Sequence, residues 1–181
     1  MYQIIKQMLH TGIKTEAPPQ PDESLRTGGQ RIHEDILKHF GKAFAIRHVD
    51  AGSCNGCELE IHCVNNPYYN IEGLGIHFVA SPRHADMLLV TGPVSRHMEV
   101  ALKRTFDATP EPKLVVAIGD CGCDGGIFSP KSTDGIGASY ASCGKIANVI
   151  PVDVAVPGCP PTPTAILQGI LTAVTAQKTA P

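Results

Sequence analysis

Apolar runs of strand length alternate with helix-like repeats along most of the chain. Short apolar runs that end at turn residues predict strands at 43–49, 75–81, 87–92, 113–119 and 150–158. Apolar residues at helical intervals predict helices at 31–40, 95–106 and 164–176, and a further helix follows Cys57. Strands that are apolar throughout and separated by helices favour an α/β fold with a mainly parallel sheet covered on both faces.

The first residues have a different pattern. Ile4, Ile5, Met8 and Leu9 fall on one side of a helical wheel, which predicts a short amphipathic helix as an N-terminal arm. Proline and glycine are frequent between residues 11 and 29, as in a linker. We therefore expect an N-terminal helix and linker at 1–29, an α/β domain at 30–177 and a tail at 178–181.

Composition narrows the classes of protein that the chain can belong to. Its 181 residues are 43% hydrophobic, which is enough for one domain with a buried core. Fifteen Lys and Arg against 17 Asp and Glu give a formal charge of −2 without a basic stripe, which argues against a nucleic-acid partner. No apolar run reaches the roughly 18 to 20 residues of a membrane span, and the start lacks a signal-peptide pattern, so a cytosolic chain is expected.

Seven cysteines point to metal binding. Reducing compartments do not keep structural disulfides, and an odd number of thiols cannot pair fully. Predicted strands run into Cys54 and Cys57, into Cys121, and into Cys159. Because the carboxyl ends of parallel strands share one edge of the sheet, these four thiols are expected to meet there.

The sequence around each of these cysteines suits a metal cluster. In the C-x-x-C turn, Gly56 is expected to take a positive φ, and Cys57 to enter a helix N-terminus, which favours negative charge. The loop at 119–122 is expected to leave backbone N–H groups free to face cluster sulfurs. Prolines on both sides of Cys159 stiffen the last loop.

Three other kinds of site share some of these features. A C-x-x-C alone also occurs in zinc sites and thioredoxin-like dithiols, but zinc usually takes paired cysteines, and a dithiol leaves Cys121 and Cys159 unexplained. A zinc-stabilised interaction module therefore remains an alternative. A dinucleotide site is disfavoured because no G-x-G-x-x-G follows the first strand.

The runs GSCNGCELEI, VVAIGDCGCDGG and VDVAVPGCPPTP resemble the three cluster-binding stretches of NiFe hydrogenase small subunits and of the related 20 kDa subunit of complex I. The resemblance runs from about Phe44 to Leu171. It implies a flavodoxin-like three-layer fold and one 4Fe–4S cluster whose ligands are Cys54, Cys57, Cys121 and Cys159. No catalytic residue is expected on the chain itself.

Two details of the resemblance favour the hydrogenase branch. Complex I subunits have adjacent cysteines in the first motif, whereas two residues separate Cys54 from Cys57, and the chain is short, like the small subunits of energy-converting, formate-hydrogenlyase-type hydrogenases. The resemblance implies an electron-transfer subunit on the cytoplasmic side of the membrane, with a catalytic large subunit, other iron–sulfur subunits and membrane subunits as partners. The alternative is a complex I-like NADH:quinone oxidoreductase subunit whose cluster reduces bound quinone at the partner interface.

Other candidate residues receive simpler interpretations. Cys123 is an alternative to Cys121 as a cluster ligand, although the family pattern favours Cys121. Cys63 is expected to be buried on the helix after the first motif. Cys143 is expected not to be a ligand. Glu60 could couple proton and electron transfer, or be an ordinary helix carboxylate. His62, His84 and His97 could be outer donors, but are expected at the surface.

Overall fold

The computed structural model describes residues 2–11, 27, 43–129 and 139–176. Its strands are β1 (Phe44–Asp50), β2 (Ile76–Phe78), β3 (Met87–Thr91), β4 (Val94–Ser95), β5 (Leu114–Ile118), β6 (Ser142–Gly144) and β7 (Val154–Val156). Its α-helices include α1 (Tyr2–Thr11), α2 (Gly56–Val64), α3 (Arg96–Ala108), α4 (Gly119–Cys123) and α5 (Pro163–Ala176). Among the described residues, none of the helices is both long enough and apolar enough to span a bilayer.

Five strands form the central sheet in the order β2-β1-β3-β5-β7, and all neighbours are parallel. The strands are short and almost wholly apolar, and β3 and β5 are buried at every position. This strand order is that of flavodoxin-like folds, in which the connection reverses direction between β1 and β3. The predicted α/β class with a mainly parallel sheet is confirmed.

Helices cover both faces of this sheet. On one face α2 and α5 pack over a core that includes Phe44, Ile46 and Ile166. On the other, Leu102 of α3 packs in a second core with strand residues such as Leu88. The α5 helix approaches β7 closely, because a Cβ on Gly169 would lie 2.2 Å from Cγ2 of Val156. Two apolar layers therefore fix the sheet, and its carboxyl edge stays free for loops.

Several element boundaries differ from the predictions. The last strand covers only Val154–Val156, because the prolines at 151 and 157 have no N–H to donate to a ladder. Three elements among these strands and α-helices were not predicted: β4 and β6, which pair antiparallel and are too short for a periodic signal, and α4, where a loop was expected. The predicted helix at 31–40, the tail and all but residues 11 and 27 of the linker predicted at 11–29 lie outside the described residues.

Candidate functional site

The first cysteine loop begins where β1 ends. Oδ1 of Asp50 accepts hydrogen bonds from the backbone N–H groups of Gly52 and Ser53, each at 2.8 Å. A short polar side chain that bonds its own following backbone is a common way to fix a tight turn. The turn leads directly into Cys54, whose side chain is exposed.

Asn55 adopts the left-handed conformation in this loop, with φ 71°. Gly56, for which a positive φ was predicted, is instead the first residue of α2, so that prediction was wrong. Asparagine tolerates left-handed backbone better than most residues with a side chain. The turn therefore happens one residue earlier than expected, and Cys57 lies in the first helical turn.

The end of β5 lies against Cys57. Gly119 has φ +83°, and a Cβ added to it would lie only 2.6 Å from Sγ of Cys57. No side chain fits at that distance without moving the sulfur, so the absence of a Cβ here lets the thiol of α2 approach the start of α4. This contact joins the first cysteine loop to the second.

The segments that carry Cys121 and Cys159, which are helix α4 and the loop after β7, are held together by hydrogen bonds. Oδ1 of Asp120 accepts from the N–H of Gly158 at 2.7 Å, and the N–H of Asp120 donates to the carbonyl of Gly158 at 2.9 Å. Asp120 was not identified as a site residue from the sequence. One feature of the sequence could have identified Asp120: a carboxylate stands directly before a candidate ligand, at the end of a strand predicted to be buried.

The four predicted ligands are electrostatic neighbours at this edge. The pKa of Cys57 is raised to about 12, first by burial, then by the negative charge of Glu58, and then by Cys54, Cys121 and Cys159. The pKa of Cys121 is also raised, first by burial and then by Cys159 and Cys54. Within the described residues, no three His, Cys, Asp or Glu side chains are arranged to hold a single metal ion.

The other cysteines lie apart from these four. Sγ of Cys123 faces the carbonyl of Ala117 at 3.7 Å and packs against the core under α3, and burial raises its pKa to about 11. Sγ of Cys143 lies 3.4 Å from Oε2 of Glu99. Cys63 is exposed, so its predicted burial was wrong: the adjacent Val64 faces the core, and Cys63 lies on the solvent side of α2.

Glu60 is partly exposed on α2. His62, His84 and His97 are all exposed, as predicted.

A buried carboxylate beside Cys57 was missed at the sequence level. Glu58 is 6% exposed, and its Oε2 accepts a hydrogen bond from Oγ of Ser53. Its Oε1 lies 3.8 Å from Nε2 of His48, and that nitrogen lies 3.2 Å from Oγ1 of Thr91. Burial lowers the pKa of His48, and the charges of Glu58 and Asp50 oppose this. The sequence gives only a weak indication of this contact. Ser53 stands five residues before Glu58, and whether their side chains meet depends on the turn between them.

Proteins of known sequence are similar to this chain over most of its length. A membrane-bound hydrogenase subunit of Pyrococcus furiosus is 44% identical over 76% of this chain and 78% of its own length. Formate hydrogenlyase subunit 7 of Escherichia coli is 40% identical over 84% of this chain, but this covers 55% of that protein. A subunit of the NADH-quinone oxidoreductase of Desulfovibrio desulfuricans is 39% identical over 76% of this chain and 69% of its own length.

Solved structures show the same fold. A chain of an archaeal membrane-bound sulfane sulfur reductase superposes with a TM-score of 0.62 at 30% identity, covering 78% of this chain and 75% of that one. A chain of the Ni-Fe-Se hydrogenase from Desulfomicrobium baculatum has a TM-score of 0.51 at 16% identity, covering 76% and 64%, and is similar in fold alone. The sequence profile of the family described as the NADH ubiquinone oxidoreductase 20 kDa subunit matches residues 54–173, from the first cysteine loop into α5. The chain belongs to that family.

Proposed function

We propose that this chain is the electron-transfer small subunit of a membrane-associated, NiFe-hydrogenase-like complex. It holds one 4Fe–4S cluster on Cys54, Cys57, Cys121 and Cys159. The observation that carries the proposal is the contact between the end of β5 and the first cysteine segment, where a Cβ on Gly119 would lie 2.6 Å from Sγ of Cys57. The charges of Cys54, Cys121 and Cys159 also contribute to the raised pKa of Cys57. The segments that carry these cysteines follow β1, β5 and β7, which are far apart in the chain but end at one edge of the sheet.

The chemistry of this donor set fits an iron–sulfur cluster. Four thiolates without a cation would repel one another, and this repulsion adds to burial in making the thiols of Cys57 and Cys121 hold their protons more tightly than usual. Iron supplies the missing positive charge, and cysteine thiolates are the usual ligands of such clusters. The close approach permitted by Gly119 adds a cradle that a side chain would fill.

A bound 4Fe–4S cluster takes up and gives back one electron. The residues of the chain perform the remaining tasks. Asp120 fixes the Cys159 loop against α4, which carries Cys121, and Asp50 fixes the turn before Cys54. The apolar layers under α2 and α5 exclude water from the inner side of the site. The chain thus positions the ligands and sets the surroundings of the cluster, while bond chemistry belongs to a partner.

The outer side of the site is open. Cys54 and Cys159 are exposed, and Leu59 on α2 and Ile127 after α4 are 59% and 48% exposed although they are large and apolar. An apolar surface next to the ligands fits the docking of a catalytic large subunit, because electrons pass efficiently only over short distances. Other iron–sulfur subunits and membrane subunits then complete the complex.

The relatives are subunits of membrane-bound hydrogenase, formate hydrogenlyase and NADH-quinone oxidoreductase. We therefore propose that this chain lies peripherally on the cytoplasmic side of the membrane, attached through the subunits that it contacts.

A second candidate function is reduction of quinone at the partner interface, as in complex I. Its support is the family itself and the relative from Desulfovibrio desulfuricans. The partner separates the two functions, because a nickel site needs two C-x-x-C motifs in the large subunit and a quinone site does not.

The test is to purify the chain anaerobically with its partner subunits and expose the complex to hydrogen. Appearance of the EPR signal of the reduced cluster under hydrogen supports the hydrogenase-like function. Reduction by NADH and reoxidation by a short-chain quinone, without any response to hydrogen, supports the second candidate. Absence of iron and sulfide from the chain contradicts both.

A further inference from the structure

Among the residues that the structure describes, Glu58 is the only charged one that is buried. Besides Thr91 and Thr109, no other polar side chain falls within the buried set of that part of the chain. A carboxylate removed from water is costly unless hydrogen bonds or charges compensate it. Its place directly after Cys57, in the first turn of α2, therefore requires an explanation beyond packing.

One oxygen of this carboxylate holds the loop around Cys54. Oγ of Ser53 donates to Oε2 of Glu58, and the same Oγ accepts from the backbone N–H of Asn55 at 3.1 Å. Ser53 and Asn55 are the two neighbours of Cys54 in the chain. Glu58 thus connects both sides of the Cys54 ligand to the helix that carries Cys57.

The other oxygen has no hydrogen-bond partner within the described structure. Oε1 of Glu58 is inaccessible to solvent, and its nearest ion-pairing group is Nε2 of His48 at 3.8 Å. Nε2 of His48 lies 3.2 Å from Oγ1 of Thr91, which donates to the carbonyl of Val49 at 3.5 Å. The charge of Glu58 is therefore weakly compensated and lies beside a ligand.

We propose that Glu58 is a positioning residue for the cluster: through Ser53 it fixes the Cys54 loop, and its buried charge lowers the reduction potential of the cluster. This inference rests on the proposed function. A fixed negative charge near a redox centre opposes the arrival of an electron, and it acts strongly where water is excluded. Hydrogen bonds from outside the ligand set are known to orient ligands and to tune metal centres.

The experiment compares Glu58→Gln and Glu58→Ala with the parent chain, each purified anaerobically with its partner subunits. Glutamine keeps an oxygen for Ser53 and removes the charge, so iron content should stay as in the parent while the midpoint potential shifts upward in an EPR-monitored titration. Alanine also removes the hydrogen bond, so iron should pass to a chelator about tenfold faster than from the parent. Ser53→Ala should release iron faster without the upward shift.

Glu72→Gln is the matched control, because it removes one negative charge from an exposed carboxylate in the turn before β2. It should leave the potential and the rate of iron loss unchanged. An unchanged potential in Glu58→Gln, with a full cluster, overturns the inference and leaves the proposed function intact. A parent chain without iron and sulfide instead overturns the proposed function itself.

Discussion

Gly119 shows how strongly single residues constrain the site. Replacing it with alanine would put a Cβ 2.6 Å from Sγ of Cys57, at a φ of +83°. Left-handed backbone costs a residue with a side chain about 1–2 kcal/mol, and the clash adds to this. We expect Gly119→Ala to lose most of its iron while circular dichroism still reports the α/β fold.

Gly56→Ala is the control for this substitution. The added Cβ would lie 3.6 Å from Sγ of Cys54, an ordinary contact distance, within α2. Iron content should remain near that of the parent chain. Equal iron contents in both variants would show that the approach of Cys57 to Gly119 does not matter for the site.

Cys121 and Cys123 are separated by one residue, yet they face different surroundings. Cys121 senses the charges of Cys159 and Cys54, whereas Cys123 packs under α3. Cys121→Ser should remove or convert the cluster and abolish electron transfer, and Cys123→Ser should keep the parent's iron content and EPR spectrum. A full iron complement in Cys121→Ser, together with iron loss in Cys123→Ser, would reverse the ligand assignment.

At the level of elements, the loop that carries Cys159 is held in place by α4, the helix that carries Cys121. Asp120→Ala removes the acceptor for the N–H of Gly158, a hydrogen bond to a charged group that is worth roughly 1.5–3 kcal/mol. We expect faster amide hydrogen exchange at Gly158 and a lower unfolding temperature. Asp120→Asn retains an acceptor oxygen and should recover much of the protection, and similar exchange in both variants would argue against this contact.

The elements that could be predicted from the sequence are those with a strong local pattern. The buried runs of β3 and β5 and the helical repeat of α3 were located almost to the residue, because burial on both faces or on one stripe leaves a direct trace in the sequence. The pair β4–β6 and the helix α4 leave no such trace, since two to five residues are too few for a period.

Some of the site residues could be predicted from the sequence and others could not. Cysteines in strand-end loops can be recognised as candidates from chemistry and position alone. Glu58 and Asp120 could not, because their importance lies in contacts that depend on the turns: the bond to Ser53 requires the left-handed Asn55, and the bond to Gly158 joins loops 38 positions apart in sequence. Tertiary hydrogen bonds of this kind have no periodic signature.

At the scale of the whole molecule, iron binding should be linked to pH. The pKa of Cys57 is raised from 9.0 to about 12, and that of Cys121 is also raised, so protons compete with iron for these sulfurs at neutral pH. Iron uptake by the iron-free chain should therefore improve from about pH 7 to pH 9, with proton release on binding. Uptake that does not change with pH over this interval would contradict the account.

The raised pKa of Cys57 also makes the stability of the iron-free chain depend on pH. Because the folded pKa of Cys57 lies above its unfolded value of 9.0, the folded state holds this proton longer than the unfolded chain. The stability contributed by this thiol is present below about pH 9 and is lost as the pH rises toward 12. Denaturant titrations of the iron-free chain across this range should show decreasing stability.

The central claim is that three loops of a parallel sheet bring four thiols to one iron–sulfur cluster. The most direct measurement is iron and acid-labile sulfide analysis of the anaerobically purified chain, together with low-temperature EPR after reduction. The account predicts about four iron and four sulfide per chain and an EPR signal from the reduced cluster. A colourless chain with about one zinc and no sulfide would contradict it.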